Sequence, residues 1–452
     1  MRKYQIIKSS LEYFEEYLEY NQIEEAYKFS ELIRWADVAK GNSIEYPKVD
    51  ILVVKNHDYQ GITNEANNRL DAIIEDITLE DALIIIHNPS QRIEEKIISK
   101  YHDTLIKSEN YNTEFKNFSN SVNEIREKII GQSNAVLEII KSLNYLARSR
   151  KSKKPYVILL YGDSSLGKTE IVREVAKHFY DSLVLEKHLS MWQSNAYSDY
   201  LFGENPTSVT LAFELLERKS NLLFLDEFDK LANYFLSSLY TLFDNTEFKD
   251  KTYSVDISNL VIFLTANYKS ENEVLQHLGE PIFYRIDKMI GFHDFSAEDI
   301  KTILDLEIKN RKEDFKDFSS IDEVTNLSMK IINSQEENGR TIKQKVQKII
   351  EELAYMSYLK SWCHKYCIFW IGQDENHLNG YYSKLGNNNI GERLGLIKDF
   401  EISSSMALIG ADDSGWFPNL KLFLLKPSII FDRMKNQQGN FIYQLYYEKG
   451  KK

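Results

Sequence analysis

Residues 162–169 are of the types that can bind a phosphate group. They read Gly-Asp-Ser-Ser-Leu-Gly-Lys-Thr, and this spacing of two glycines, a lysine and a hydroxyl residue is typical of a phosphate-binding loop. The glycines let backbone N–H groups turn toward the phosphates, the lysine adds positive charge, and the threonine hydroxyl is a ligand for Mg²⁺. We therefore expect a nucleotide to contact Gly162, Asp163, Ser164, Ser165, Leu166, Gly167, Lys168, Thr169 and Glu170.

Two adjacent carboxylates follow a second apolar run. Residues 222–225 are apolar and precede Asp226 and Glu227, as in a buried strand that ends in two acids. Because open parallel sheets bind ligands at the carboxyl ends of their strands, Asp226 is predicted to hold Mg²⁺, through water, opposite Thr169. Glu227 is predicted to act as general base on the attacking water. Such a pair alone is also typical of a solvated acidic turn, but the phosphate-binding loop upstream favours the catalytic interpretation.

The elements that must position these residues alternate between strands and helices. The phosphate-binding loop lies between an apolar run and a stretch with helical period that begins near Glu170. The strands predicted for this region are 156–161, 182–185, 222–225 and 260–265. This alternation over about residues 119–293 predicts a doubly wound parallel sheet of the α/β class.

The residues before this region predict a small α/β module over 1–118. Helical patterns at 11–18 and 23–33 precede apolar runs at 51–54 and 82–86, which predict strands. The polar stretch 108–113 is predicted to be a linker.

The residues after this region predict two further parts. Ser296, followed three residues later by Asp299, is a capping pattern that begins the first of three helices, so 294–363 is predicted to be a small α-helical domain. From 364 to 452, short aromatic and β-branched runs separated by Gly, Asn and Asp predict a mainly β module.

Composition limits the kinds of partner. The 452 residues carry a formal net charge of −12, which argues against broad electrostatic capture of nucleic acid or anionic lipid. No stretch approaches the about 20 apolar residues of a membrane span, and the first residues lack the apolar core of a signal peptide, so a cytoplasmic location is predicted. The two cysteines, Cys363 and Cys367, exclude a disulfide framework, and no second ligand pair stands near them for zinc.

Several short segments between about 120 and 362 resemble, in their order, those of the Clp-type branch of AAA+ ATPases. Besides the phosphate-binding loop, the matching segments are 130–136, 226–231, 261–267, 281–287, 292–300 and 338–343. The resemblance implies that ATP and Mg²⁺ are the cofactors and that Ile130 and Gly131 lie against the adenine base. It also implies that Asn267, as the first sensor, contacts the γ-phosphate and the attacking water.

The same resemblance implies that the helical domain 294–363 is a lid and that ATP is bound between the α/β domain and this lid. It also implies a ring of subunits, which is a hexamer in this family. Arg285 would then be the arginine finger that reaches the nucleotide of the neighbouring subunit, and Arg340 would be the second sensor. A planar, permanently charged guanidinium suits the charge on a transferring phosphoryl group.

One segment departs from the Clp-type pattern. Clp-type unfoldases carry a Gly-aromatic-aliphatic-Gly motif in a loop that grips polypeptide in the central pore, and residues 200–210 contain no such motif. Tyr200 or Phe202 could take the place of the pore aromatic residue, but apolar residues flanking a helix start are more often in the core, and we expect them there. Standard threading of a polypeptide is therefore not expected.

Together these features predict an ATP-hydrolysing ring or switch that remodels, disassembles or loads a partner protein. Two other functions stay open. The basic run 148–154, which is also typical of a solvated connector, keeps a nucleic-acid-directed motor or loader in view. The third candidate is a nucleotide-gated regulatory module of a bacterial defence or mobile-element system.

Overall fold

A computed structural model divides the chain into two units, Met1–Asp294 and Phe295–Lys452. The described residues are 2–24, 27–39, 48–60, 69–109, 111, 118–148, 154–191, 196–203, 209–332 and 337–363, and four strands within 369–447. Among these residues every helix is too short or too polar to cross a membrane.

The first part of the unit Met1–Asp294 is a parallel sheet with helices, and its fold class is as predicted. Its elements are β1 (Lys3–Lys8), α1 (Leu11–Tyr20), α2 (Phe29–Ala39), β2 (Val49–Val54), α3 (Asn56–Gln60), α4 (Leu70–Ile77), β3 (Thr78–His87), α5 (Gln91–Lys100) and β4 (Leu105–Ser108). The strands lie in the order β2-β3-β1-β4, and neighbouring strands are parallel. Ile84 and Ile86 pack into one apolar cluster and Ile85 into another, which explains the unbroken apolar run in β3.

The second part of this unit is the predicted α/β domain. Its elements are α6 (Phe118–Lys128), α7 (Ser133–Arg148), β5 (Tyr156–Tyr161), α8 (Lys168–Phe179), β6 (Leu185–His188), α9 (Ala196–Phe202), α10 (Leu211–Leu216), β7 (Leu222–Asp226), α11 (Asn233–Leu236), α12 (Tyr240–Asp244), β8 (Glu247–Lys249), β9 (Ser254–Asp256), β10 (Val261–Ala266), α13 (Glu271–Phe283) and β11 (Lys288–Gly291). Five strands form a parallel sheet in the order β11-β5-β10-β7-β6. The doubly wound fold class is confirmed.

The strand predicted at 182–185 is wrong in position, because β6 runs from Leu185 to His188. Asp181 and Ser182 have positive φ angles of 53° and 64°, so they turn the chain between α8 and the sheet. β6 is an edge strand, and an edge strand needs less apolar sequence than a central one. The inner strand β7, by contrast, is buried along its whole length, and its apolar run predicted it correctly.

Polar contacts fix the carboxyl edge of the first sheet to the α/β domain. Glu217 accepts hydrogen bonds from the backbone N–H of Leu11 at 3.0 Å and from Nδ2 of Asn88 at 2.7 Å. Tyr111 donates its hydroxyl to the backbone oxygen of Arg218 at 2.6 Å. The predicted linker at 108–113 is therefore wrong in part, since its first residue ends β4 and Tyr111 is anchored to the α/β domain.

The unit Phe295–Lys452 begins with the predicted helices. The three predicted helices are α14 (Ala297–Asn310), α16 (Ile321–Ile331) and α17 (Gly339–Cys363), and a short helix that was not predicted, α15 (Lys312–Phe315), follows α14. The capping box of Ser296 and Asp299 is present in full, with both side chains bonded to the other residue's backbone. Leu304, Val324 and Val346 lie in the core that joins α14, α16 and α17.

The described strands that follow α17 form an antiparallel sheet, as the mainly β prediction requires. They are β12 (Phe369–Asp374), β13 (His377–Tyr382), β14 (Leu420–Leu425) and β15 (Gly439–Tyr447), in the order β13-β12-β15-β14. Cys363 ends α17, whereas Cys367 lies outside the described residues. The predicted domain boundaries after residues 118, 293 and 363 stay predictions.

Candidate active site

The phosphate-binding loop connects β5 to α8, as the sequence predicts. Gly162, Ser165 and Gly167 have positive φ angles of 144°, 62° and 98°, which bend the loop tightly. A Cβ on Gly162 would lie 2.6 Å from the backbone oxygen of Phe292, so only glycine fits there without a shift. Leu166 is buried and anchors the middle of the loop. The loop therefore leads into the N-terminus of α8, where unpaired N–H groups favour an anion.

The other predicted contacts of the loop are more exposed. Ser164 and Glu170 are exposed, and the carboxylate of Glu170 lies 3.4 Å from Nζ of Lys128 on α6. The carboxylate of Asp163 lies 4.0 Å from Nζ of Lys269. Their contacts with a nucleotide stay predictions.

Lys168 is the buried charge of the loop, with only 7% of the residue exposed. Its ammonium donates to the backbone oxygens of Gly162 at 2.7 Å and Asp163 at 2.6 Å, and to Oδ1 of Asn267 at 3.2 Å. Burial disfavours the charged form and lowers the pKa of Lys168 to about 8, although nearby carboxylates, Asp229 first among them, oppose the shift. The negative charges of a bound triphosphate would favour the ammonium and raise this pKa.

The affinity for ATP is therefore expected to fall as the pH rises above about 8. Below pH 8 Lys168 is charged before ATP binds. Above pH 8 it must take up a proton on binding, so the Kd for ATP should rise by up to about tenfold per pH unit. Titration calorimetry between pH 7.5 and 9.5, in two buffers of different ionisation enthalpy, measures both the Kd and the proton uptake. Lys168→Arg, which stays charged over this range, should remove the dependence, and wild-type binding that is independent of pH would contradict the prediction.

The carboxylate of Asp226 lies beside the hydroxyl of Thr169. Thr169 Oγ1 is 3.3 Å from Oδ1 of Asp226 and 3.5 Å from Oδ2. Thr265 of β10, the strand between β5 and β7, donates its hydroxyl to Oδ1 of Asp226 and so orients the carboxylate. Hydroxyl and carboxylate oxygens are the hard ligands that Mg²⁺ prefers. The two residues therefore fit the predicted magnesium site.

A second group near Asp226 also has metal-ligand chemistry. Glu186, His188 and Asp226 each offer a ligand atom, and these atoms lie within 4.8 Å of one another. Glu186, however, pairs with Arg173 at 3.0 Å, and this cation offsets the negative charge that would attract a metal ion. Thr169 and Asp226 remain the better pair.

Glu227 follows β7 in a left-handed backbone conformation, with φ 58° and ψ 45°. This conformation costs a residue with a side chain about 1–3 kcal/mol, and such strain is common at functional sites. The backbone N–H of Glu227 donates to Oγ1 of Thr265 at 3.0 Å, while its side chain is exposed. Thr265 thus holds the backbone of one acid and the carboxylate of the other, Asp226.

Asn267 joins the ends of three strands. It follows β10, its Oδ1 accepts from Lys168 at 3.2 Å, and its Nδ2 lies 3.4 Å from each carboxylate oxygen of Asp229. Lys168 follows β5 and Asp229 follows β7, so the predicted meeting of these strand ends is present in the fold. The catalytic roles of Asn267 and Glu227 stay predictions.

The segment predicted to lie against adenine is tied to the same edge of the sheet. Gly131 has a φ of 75°, and the side chain of the buried Gln132 makes two hydrogen bonds to the backbone of His293, at 2.8 and 3.3 Å. His293 directly follows Phe292, the residue that touches Gly162. The contact of Ile130 and Gly131 with adenine stays a prediction.

The two predicted arginines lie in different units. Arg285 follows α13, and its guanidinium donates to Asp244 and to the backbone oxygen of Pro281, each at 2.5 Å. Arg340 lies in the first turn of α17, is exposed, and donates its backbone N–H to Oδ1 of Asn338 at 3.0 Å. Neither role is tested by this geometry.

The two aromatic residues of the segment 200–210, which lacks the pore motif, differ in their burial. Tyr200 packs against the core and donates its hydroxyl to Glu214, as predicted. Phe202 is 46% exposed, so its predicted burial is wrong; it is the last residue of α9, just before the chain turns at Gly203. Residues 204–208 lie outside the described part of the chain, as do residues 149–153 of the basic run.

Sequence reasoning missed three residues of this network: Thr265, Asp229 and Gln132. The available signal for Thr265 was a hydroxyl in an otherwise apolar strand, because a buried polar group needs a partner. Gln132 lies in the segment 130–136 that carries the resemblance, but its burial could not be read from the sequence. Asp229 lies in the segment 226–231 that carries the resemblance, but nothing in the sequence distinguished it from an ordinary acidic residue in the turn after the strand.

Comparisons with known proteins show what the chain is similar to. Residues 158–294 match the model of the ATPase family associated with various cellular activities (AAA). The chaperone protein ClpB of Prochlorococcus marinus is 24% identical over 225 residues, which cover 43% of this chain and 26% of that protein. ClpB of Clostridium perfringens is 21% identical over 350 residues, covering 70% and 39%. The negative regulator of genetic competence ClpC/MecB of Bacillus subtilis is 22% identical over 295 residues, covering 56% and 36%.

The chain thus matches between about a quarter and two fifths of the length of these relatives. A solved structure of the Hsp104–ADP complex of S. cerevisiae covers 54% of this chain and 40% of its own, at 20% identity and a TM-score of 0.44, a likeness too loose to carry an argument. The family match and the ClpB and ClpC relatives confirm the resemblance to Clp-type AAA+ ATPases.

Proposed function

We propose that this chain, which resembles the Clp-type AAA+ ATPases, hydrolyses ATP at the carboxyl edge of its five-stranded sheet. The observation that supports this most is the network around Thr265 and Asn267, which joins Lys168, Asp226 and Thr169 across three strand ends. These are the parts that phosphoryl transfer needs: a phosphate cradle, a metal site and an acid beside them.

Each residue of the network then has a task in hydrolysis. The loop N–H groups and Lys168 bind the β- and γ-phosphates, and Asn267 orients the attacking water. Glu227 accepts a proton from that water as its oxygen bonds to the γ-phosphorus. The bond from that phosphorus to the bridging oxygen breaks, which leaves ADP and phosphate. Thr169 and Asp226 would hold Mg²⁺, which neutralises charge on the phosphates.

The proposal includes a ring in which each site is completed by a neighbouring subunit. Arg285 is bonded to Asp244 and Pro281 and has no hydrogen bond to the Lys168 network within the described residues. An arginine that acts on the nucleotide of another subunit would be placed apart from its own site in this way. Arg340 would act as second sensor on ATP.

The work done with ATP is proposed to be the remodelling of a partner protein. The support is the resemblance to relatives named chaperone proteins, ClpB among them. Standard pore-loop threading is not part of the proposal, because the Gly-aromatic-aliphatic-Gly motif is missing and Tyr200 is packed against the core. Partner identity is best sought with a variant that binds ATP without hydrolysing it.

The shared site predicts that two inactive variants restore activity when mixed. Glu227→Gln lacks the general base but still offers Arg285, whereas Arg285→Ala has an intact site of its own but no finger to offer. In a randomly mixed closed ring, about a quarter of the interfaces pair the intact site with the intact finger. The ATPase rate of the mixture is therefore expected to approach about a quarter of the wild-type rate.

The measurement is steady-state phosphate release by each variant alone and after co-refolding or subunit exchange. A separate mixture of Arg285→Ala with wild-type protein is the control that shows whether subunits exchange. If the two inactive variants stay inactive together although exchange occurs, the shared site is wrong. Full activity of Arg285→Ala alone would contradict it as well.

A further inference from the structure

The side chain of Arg285 is held at three places. Its Nε donates to Oδ2 of Asp244 at 2.5 Å, and its Nη1 donates to the backbone oxygen of Pro281 at 2.5 Å. The guanidinium carbon lies 4.5 Å from the centre of the Tyr240 ring, in a cation–π contact. Tyr240 and Asp244 are four residues apart on α12, so they lie on the same face of that helix. Two residues on one face of α12 therefore contact the guanidinium of Arg285.

The backbone around Arg285 is built for this position. Gly279, with φ 74° and ψ 161°, breaks the regular geometry of α13, and a short turn follows it. The buried side chain of Ile282 fixes that turn to the core, and the backbone N–H of Arg285 donates to the oxygen of Ile282 at 2.9 Å. Carbonyls in the last turn of a helix lack intrahelical partners, and the oxygen of Pro281 takes its hydrogen from Arg285 instead.

These contacts use Nε and Nη1 of the guanidinium and leave Nη2 without a partner among the described residues. Within the described residues, Nη2 of Arg285 makes no hydrogen bond, and 29% of the side chain is exposed. The two N–H bonds of Nη2 are thus available for a phosphate oxygen. A guanidinium group that is already ordered loses less conformational freedom when it binds an anion.

We propose that Asp244 and Tyr240 are positioning residues for Arg285, which they hold ready to donate from Nη2 to the nucleotide of the neighbouring subunit. The inference rests on the proposed function, since it assigns the residues that aim its arginine finger. Asp244 offsets part of the positive charge of Arg285, but it also fixes the orientation of the guanidinium group. Misplacement of a catalytic group by about 1 Å can lower a rate by about 100-fold.

The first test compares single variants at Asp244 and Tyr240. Asp244→Ala is expected to lower kcat by between about 10-fold and 100-fold, with the KM for ATP nearly unchanged, because the variant keeps its own phosphate site. Asp244→Asn retains an acceptor for Nε and should recover kcat to within a few-fold of wild type. Tyr240→Leu, which keeps apolar bulk and removes the cation–π contact, should have a smaller effect of about threefold. Asp305→Ala, at an exposed aspartate of α14, is the matched control.

The second test separates a positioning role from damage to the fold. A subunit with Asp244→Ala lacks only what it offers its neighbour, so mixing it with Glu227→Gln should restore activity as Arg285→Ala does. Mixing it with Arg285→Ala should restore none, because both variants lack the same function. A variant that is merely misfolded would lose ATP binding and would restore nothing in either mixture, and thermal unfolding monitors this directly.

The outcomes distinguish the inference from the proposed function. If Arg285→Ala and Glu227→Gln do not restore each other although exchange occurs, the shared site fails and this inference fails with it. If they do restore each other but Asp244→Ala and Asp244→Asn both have wild-type or higher activity, only the positioning role is overturned. Higher activity would mean that Asp244 restrains the finger. Failure of a folded Asp244→Ala to restore Glu227→Gln also overturns the inference.

Discussion

Replacing Glu227 with glutamine is expected to lower the rate of ATP hydrolysis by about 100-fold to 10,000-fold and to leave ATP binding intact. The amide has nearly the shape of the carboxylate but cannot accept the proton of the attacking water, and general-base catalysis is worth a factor of this size. The side chain of Glu227 is exposed, and the residue keeps its backbone bond to Thr265, so the fold should not change. Phosphate release and the Kd for ATP, measured on the same preparation, check both halves of the expectation.

A matched control for this variant is Glu280→Gln. Glu280 is another exposed glutamate of the same unit, on α13, and its replacement should leave turnover unchanged. If Glu227→Gln retained wild-type turnover, Glu227 would lose its role. A loss of ATP binding together with turnover would instead point to a structural defect.

Replacing Lys168 with methionine is expected to weaken ATP binding by at least about 100-fold. Methionine keeps the apolar stem and removes the ammonium, whose charge-assisted hydrogen bonds to the phosphates are worth about 1.5–3 kcal/mol each. Because burial already disfavours the charge of Lys168, the free energy of unfolding should stay the same or rise in the variant. Titration calorimetry with ATP and a denaturant unfolding curve measure the two effects.

Lys177→Met is the control for Lys168→Met. Lys177 lies on the same helix, α8, with 57% of its side chain exposed, so its loss should change neither ATP affinity nor stability appreciably. Unchanged ATP affinity in Lys168→Met would mean that the loop does not bind the phosphates as proposed.

The core of the site was predictable because it depends on strand ends. The inner strands β5, β7 and β10 are covered on both faces and therefore read as apolar runs, apart from Thr265 of β10 and Asp226 at the end of β7. Lys168, Asp226 and Asn267 each follow one of these runs, and the carboxyl ends of parallel strands meet at one edge. Their contacts in the fold follow from that rule. The edge strand β6 was misplaced, since its sequence is polar.

Other contacts depend on tertiary packing, which leaves no periodic signal. Asp244 and Arg285 are 41 residues apart and lie on short segments between strands, so their pairing could not be read from the chain. Glu217 and Leu11 are 206 residues apart, and their bond depends on how the first sheet docks on the α/β domain. Thr265 was visible as a hydroxyl in an apolar strand, but its two partners became evident only from the register of β7 and β10.

The most direct test of the account is the rate of phosphate release from ATP by the wild-type chain, measured against Mg²⁺ and against protein concentration. Because Thr169 and Asp226 are proposed to hold Mg²⁺, hydrolysis should require this ion. If Arg285 of the neighbouring subunit completes each site, the rate per subunit should rise with protein concentration and level off as rings form. Absence of hydrolysis at every concentration, or hydrolysis without any divalent cation, would contradict the central claim.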